Sequence, residues 1–187
     1  HASSHRILFG QGRRVIDTLN DACVPHPFAV TSHPTWGDPV GRPWTTGLQL
    51  SHSTEAVLWG SWIKSNLVAD LPVKVAALVR AAAFGVAYES TFRDWADANP
   101  DVVAEFVAVS HSTAPGATVA NEMATIAASD PDVFISMTAG NPCVLAIQEA
   151  DRSGITETAQ ALFTPSVCKT ISGTMEPAGD ASEGWLV

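Results

Sequence analysis

Six histidines and a scatter of serines have the most obvious capacity for chemistry in this chain, and their placement argues against most of it. His52 and His111 each stand between serines, in Ser51-His52-Ser53 and Ser110-His111-Ser112, and His33 follows Ser32. Residues adjacent in sequence seldom present a nucleophile and a base to each other, because the pair must share one hydrogen bond. His52, beside a helix start, and His111, past a strand end, read as exposed loop residues. Asp130, Asp132, Glu149 and Asp151 fall on helix ends or outer faces, where charge is solvated, so no carboxylate pair stands out as an acid/base couple. G-x-S-x-G, H-E-x-x-H and the phosphate-binding G-x-x-x-x-G-K-[ST] are all missing from the sequence. Gly10–Val15 (GQGRRV) matches only part of a dinucleotide fingerprint: Val15 replaces its third glycine and no acidic residue closes a following strand. These residues lead us to expect neither a catalytic centre nor a cofactor.

Cys23, Cys143 and Cys168 form an odd set with no C-x-x-C and no His-rich spacing, which speaks against zinc. Two readings stay open on sequence: three buried thiols, or a Cys143–Cys168 bridge made in an oxidising compartment. The net charge of −9 and the lack of clustered Lys/Arg argue against a nucleic-acid partner, since phosphate neutralisation needs clustered cations. With 46% hydrophobic and only 16% charged residues, the chain can build a sizeable core. No apolar run approaches the ~20 residues needed to span a bilayer, and no signal peptide is visible.

The elements that would carry these side chains repeat from Asp70 onward. Short β-branched runs, at Val73–Val79, Ala104–Ser110, Asp132–Thr138 and Ala161–Val167, alternate with segments of helical periodicity. Continuous apolar strands separated by helices predict a parallel sheet covered on both faces, hence an α/β fold. Asn99-Pro100 and Asp130-Pro131 should stop their helices, because a residue before proline is pushed out of the α region. Gly154 is placed to cap the helix ending near Arg152. Phe84, Tyr88, Phe92 and Trp95 recur at helical spacing and read as a core stripe. Upstream, a helix is expected from near Ser53, a short strand at Phe28–Thr31 and a helix over Arg13–Asp21.

In open α/β sheets ligands bind beyond the carboxyl ends of the strands. Here those ends carry Arg80–Gly85, Ser110–Gly116, Thr138–Asn141 and Pro165-Ser166: small, hydroxyl-bearing or glycine-containing, with Phe84 as one flat apolar surface. Backbone N–H groups at the helix start after Asn141 would favour an anion such as a carboxylate, and Pro142 is tolerated in that first turn. A binding cleft without catalytic equipment is the expectation.

The order of several stretches resembles the branched-chain amino-acid type of ABC-transporter substrate-binding protein, the type I periplasmic-binding-protein fold. These are PWTTGLQLSHSTEAVLWGSWI, FGVAYESTFRDW, NEMATIAASDPDVFISMTAGNPCVLAIQEADRSGI and AGDASEGWLV. The likeness runs from about Arg14 to Val187. It implies two α/β lobes, with residues 1–48 a partial first lobe, a hinge crossing near 47–51, and residues 49–187 the second lobe, ending on the returning strand Gly184–Val187. It further implies that the chain is a fragment of a longer protein. Ligand contacts would come from Ser32, His33 and Thr35 in the first lobe, and from Phe84, Thr138, Ala139, Gly140, Asn141 and Ser166 in the second. A Cys143–Cys168 bridge would pin two cleft-forming loops.

The implied function is extracytoplasmic delivery of an amino-acid-like or carboxylate ligand to an ABC permease of the membrane. A ligand-sensing domain of a receptor or regulator is the alternative, and an α/β hydrolase ranks last. Two positions depart from the family pattern. Ser166 stands where an acidic residue often holds the ligand ammonium, and Arg80–Phe84 replaces a polar, often acidic stretch.

Overall fold

A computed structural model describes residues 12–29 and 32–187. Gly10 and Gln11 of the partial fingerprint, and Val30 and Thr31 of the expected upstream strand, lie outside the described residues. The chain divides into two compact units, one running to Glu55 and the other from Ala56 to Val187.

The second unit follows from its apolar runs. β3 (Val73–Arg80), β4 (Val103–His111), β5 (Val133–Met137) and β6 (Ala161–Phe163) form a wholly parallel sheet in the order β4-β3-β5-β6. One face (Val75, Ala77, Val79, Ile135, Met137) packs on Tyr88 and Phe92 of α3 (Ala83–Ala98). Trp59 and Ile63 of α2 (His52–Asn66) complete that layer, with Trp59 stacked on Tyr88 at a 5.0 Å centroid distance. The other face (Ala76, Leu78, Phe134, Leu162) packs on Met123 and Ile126 of α4 (Ala120–Ala128) and on Ala146, Ile147 and Ala150 of α5 (Asn141–Arg152). β5 is buried along its whole length, which is why its sequence does not alternate. β4, at the edge, leaves Ala104, Glu105 and Ser110 exposed.

The helix stops fall where the sequence places them: Asn99 caps α3, and Gly154 adopts the left-handed conformation (φ 77°) after α5. α4 ends earlier than the proline signal, at Ala128 with Ser129 as its cap. Of the core stripe, Tyr88 and Phe92 are fully buried while Phe84 and Trp95 pack partly exposed against them.

Two strand expectations need correction. The run at Ala161–Val167 yields only the three residues of β6, because Pro165 leads into a 3-10 turn at Ser166–Cys168. Gly184–Val187 contributes a single parallel bridge, Leu186 to Phe163, held by Leu186 N–H to Leu162 O (2.8 Å) and Thr164 N–H to Leu186 O (3.0 Å).

In the first unit, α1 (Gly12–Asp21) precedes a parallel pair, β1 (His26–Ala29) and β2 (Thr45–Gly47). Asn20 ties them: its amide donates to Thr45 Oγ1 (2.6 Å) and its Oδ1 accepts from Trp44 N–H (2.9 Å). A 3-10 turn, Pro34–Gly37, is capped by His33, whose Nδ1 accepts from Thr35 N–H (3.2 Å).

Candidate functional site

Because β3, β4, β5 and β6 are parallel, their carboxyl ends share one edge. The chain leaves β3 for β4 on one side and returns to place β5 on the other. The topological switch point, where such sheets open a crevice, therefore lies between the ends of β3 and β5. Phe84, Thr138, Ala139, Gly140 and Asn141 flank it, and Ser166 follows β6 on the same edge.

Each residue earns its place locally. Thr138 is buried and its hydroxyl pairs with that of Ser136 (2.8 Å), so it supports the edge more than it faces solvent. Gly140 turns the chain into α5 at φ 71°, ψ −142°, a conformation that favours glycine; an added Cβ there would meet nothing within 4 Å. No side chain caps α5, and the exposed Asn141 opens it with Pro142 in the first turn. Phe84 packs edge-on against Tyr88 at 5.2 Å. The glycine after it is required by closeness: a Cβ on Gly85 would sit 2.1 Å from the Arg80 carbonyl oxygen, so α3 can approach the end of β3 only without one.

A disulfide joins Cys143, in the first turn of α5, to Cys168, at the end of the 3-10 turn after β6 (Cα–Cα 5.8 Å). It fastens together the two loops carrying Thr138–Asn141 and Ser166. Cys168 Sγ also lies 3.5 Å from the Thr138 carbonyl oxygen. Cys23 is a free, exposed thiol.

Two side chains on this edge were not picked out as binding candidates by sequence. Arg80, the last residue of β3, reaches across the switch point and donates from Nη1 to Ala139 O (3.2 Å). His111, its register partner on β4, is buried rather than exposed. Its Nδ1 lies 2.9 Å from Ser112 O. Its pKa is lowered, first by burial and then by the Arg80 charge, against opposing effects of that backbone contact and of Glu122.

In the first unit, His33 joins Trp36, Thr46, Gln49, Ser51 and Thr54 around an open cleft of about 570 Å³. Ser32 is buried behind it, its hydroxyl donating to Gln49 Oε1 (3.2 Å) and its carbonyl accepting from His52 N–H (2.8 Å). Thr35 is half-buried in the turn that His33 caps. His52 also departs from expectation. As the first residue of α2 it is buried, and burial, with a smaller push from His33, lowers its pKa to about 4.

No protein-family model and no curated protein matches the chain by sequence. Solved structures do match by shape. An ABC transporter permease, so described, from the Pseudomonas fluorescens group superposes with a TM-score of 0.75 at 17% identity, covering 92% of this chain and 40% of that one. A branched-chain amino-acid ABC transporter protein from Thermus thermophilus with bound valine gives 0.73 at 16%, covering 95% and 44%. A solute-binding protein of an ABC transporter from R. palustris in complex with 4-hydroxybenzoate gives 0.68 at 17%, covering 90% and 44%. The chain thus spans less than half the length of each of these structures. With its parallel β4-β3-β5-β6 sheet clad in helices on both faces, the chain has the α/β fold of the type I periplasmic-binding-protein lobe.

Proposed function

We propose that this chain belongs to an extracytoplasmic solute-binding component of an ABC importer, which holds a small amino-acid-like or carboxylate ligand between two lobes and presents it to a membrane permease. The observation that carries the reading is the shared carboxyl edge of the parallel sheet. The switch point between β3 and β5, the turn at Gly140, the start of α5 without a side-chain cap and the Phe84 ring are gathered there. Such an edge offers backbone donors and a flat apolar surface to a small anion. Phe84, Thr138, Ala139, Gly140, Asn141 and Ser166 are the contacts assigned to it, and Ser32, His33 and Thr35 those assigned to the first lobe. On this reading we assign residues 1–48 to the first lobe and 49–187 to the second, with the hinge crossing near residues 47–51. Binding energy gained from both lobes would favour a closed form that the permease reads. The Cys143–Cys168 bond supports an extracytoplasmic setting, where disulfides persist.

Calorimetric titration of the full-length protein with amino acids and aromatic carboxylates tests the reading. Saturable binding of one class is expected, and a folded protein that binds none of them refutes it.

A further inference from the structure

We infer that Arg80 is the specificity-determining residue of this edge, and that it selects a ligand bearing a carboxylate and no ammonium group beside it. The inference rests on the solute-binding reading above and adds the ligand's charge to it.

Arg80 ends β3 at the point where the sheet changes direction, and it is half-buried. One of its N–H groups is given to Ala139 O, which holds the guanidinium across the crevice at the turn into α5. No carboxylate pairs with it among the described residues. The cationic partners in ion pairs there are Arg42, Lys64, Arg93 and Arg152, all elsewhere. A guanidinium presents five donors in a fixed fork, so one bond to a carbonyl leaves most of that fork for another acceptor.

The surroundings keep this charge from being answered from within. His111, beside Arg80 in register, is 1% exposed, and its Nε2 has no hydrogen-bond partner among the described residues. An imidazole, neutral or protonated, brings Arg80 no negative charge; Glu122, in the first turn of α4, acts on His111 without forming an ion pair with Arg80 among the described residues. Across the crevice, α5 begins without a side-chain cap, and its positive dipole end adds to the field of the arginine. The space beside Gly140 is open: nothing lies within 4 Å of where its Cβ would be. After β6, Ser166 provides a hydroxyl where an ammonium would need a carboxylate.

A carboxylate placed here meets a cation and a helix start. An ammonium placed here meets the same two positive groups with no acid among Arg80, His111, Thr138–Asn141 and Ser166 to offset them. The edge is therefore matched to a monocarboxylate whose remaining body is apolar enough to lie on Phe84.

The test compares benzoate, benzamide and valine by calorimetry on the full-length protein and on its R80A and R80Q variants. The parent should bind benzoate at least about tenfold tighter than benzamide, as a charge-assisted bond implies, and should prefer benzoate to valine. Both substitutions should bring the benzoate/benzamide ratio close to one with the melting temperature held. R80Q supplies the ratio if R80A does not fold. An unchanged ratio in a folded variant, or a parent that prefers valine, overturns the inference and leaves the solute-binding reading standing. A parent that binds none of the three, nor any other compound of the wider panel, overturns both.

Discussion

The two units solve the same problem with unequal means. The second wraps a four-stranded sheet on both faces, so that Leu78, Phe92, Phe134 and Ile147 have no access to water. Among its described residues the first has a two-stranded sheet, the helix α1, a 3-10 turn and the opening turn of α2. Its buried apolar side chains among the described residues are Ile16 and Trp36, while Phe28, Val40, Trp44, Leu48 and Leu50 stay exposed. Two strands alone are marginal in water, whereas a sheet with two covered faces generates its own core. Most of the folding free energy should therefore reside in the second unit, and side chains in the first should be judged by what they hold in place.

The sharpest way to break this contrast is a pair of truncations of one residue type. Phe92→Ala, fully buried and in contact with Phe106 at 4.9 Å, should lower stability by about 3–5 kcal/mol in urea unfolding. Phe28→Ala, 68% exposed, should change it by less than about 0.5 kcal/mol. A large effect at Phe28 would mean that its face is covered in solution.

Next in size is the covalent tie. Cys143 and Cys168 are 25 residues apart, and replacing both with alanine should cost about 3 kcal/mol by loop entropy. The loss should appear in the transition of the second unit alone, and intact mass after alkylation should reveal one reactive thiol before reduction and three after it.

Acid should weaken both units together. His52 in the first has its pKa lowered to about 4 from 6.5, and His111 in the second is shifted the same way. A histidine held neutral in the folded state takes up its proton more readily when unfolded. Its stability contribution is thus complete above about pH 6.5 and fades as pH falls toward the folded pKa. For His52 the loss is at most about 3 kcal/mol across that window. Urea midpoints at pH 7.5 and 4.5 measure it, and His52→Gln should flatten the profile for the first unit while leaving that of the second.

A further and more modest cost is expected at the rim. Gly140→Ala should cost about 1–3 kcal/mol, from backbone conformation (φ 71°, ψ −142°) and not from crowding, since the space around it is open. Thermal melts would register this, and a cost above that range would point to a neighbour that fills the space.

What was legible in sequence divides along physical lines. β3 and β5 could be read because burial on both faces leaves no polar alternation, and the end of α5 because Gly154 satisfies a known cap. β6 was overextended because Thr164-Pro165-Ser166 continues an apolar-looking run whose proline diverts the chain. His52 and His111 were misplaced for a different reason. Each stands at an element boundary, and a boundary in sequence does not reveal that another segment lies over it. Arg80 was visible at a strand end, but its partner lies 59 residues away, and only the folded sheet brings the guanidinium to Ala139.

The Cys143–Cys168 bond has one more implication. It makes the start of α5 and the turn after β6 a single mechanical piece, joined through sulfur at the lip of the sheet. Amide exchange in Ser166–Cys168 should consequently rise and fall with that of Asn141–Val144, and reduction should let the two segments breathe at independent rates.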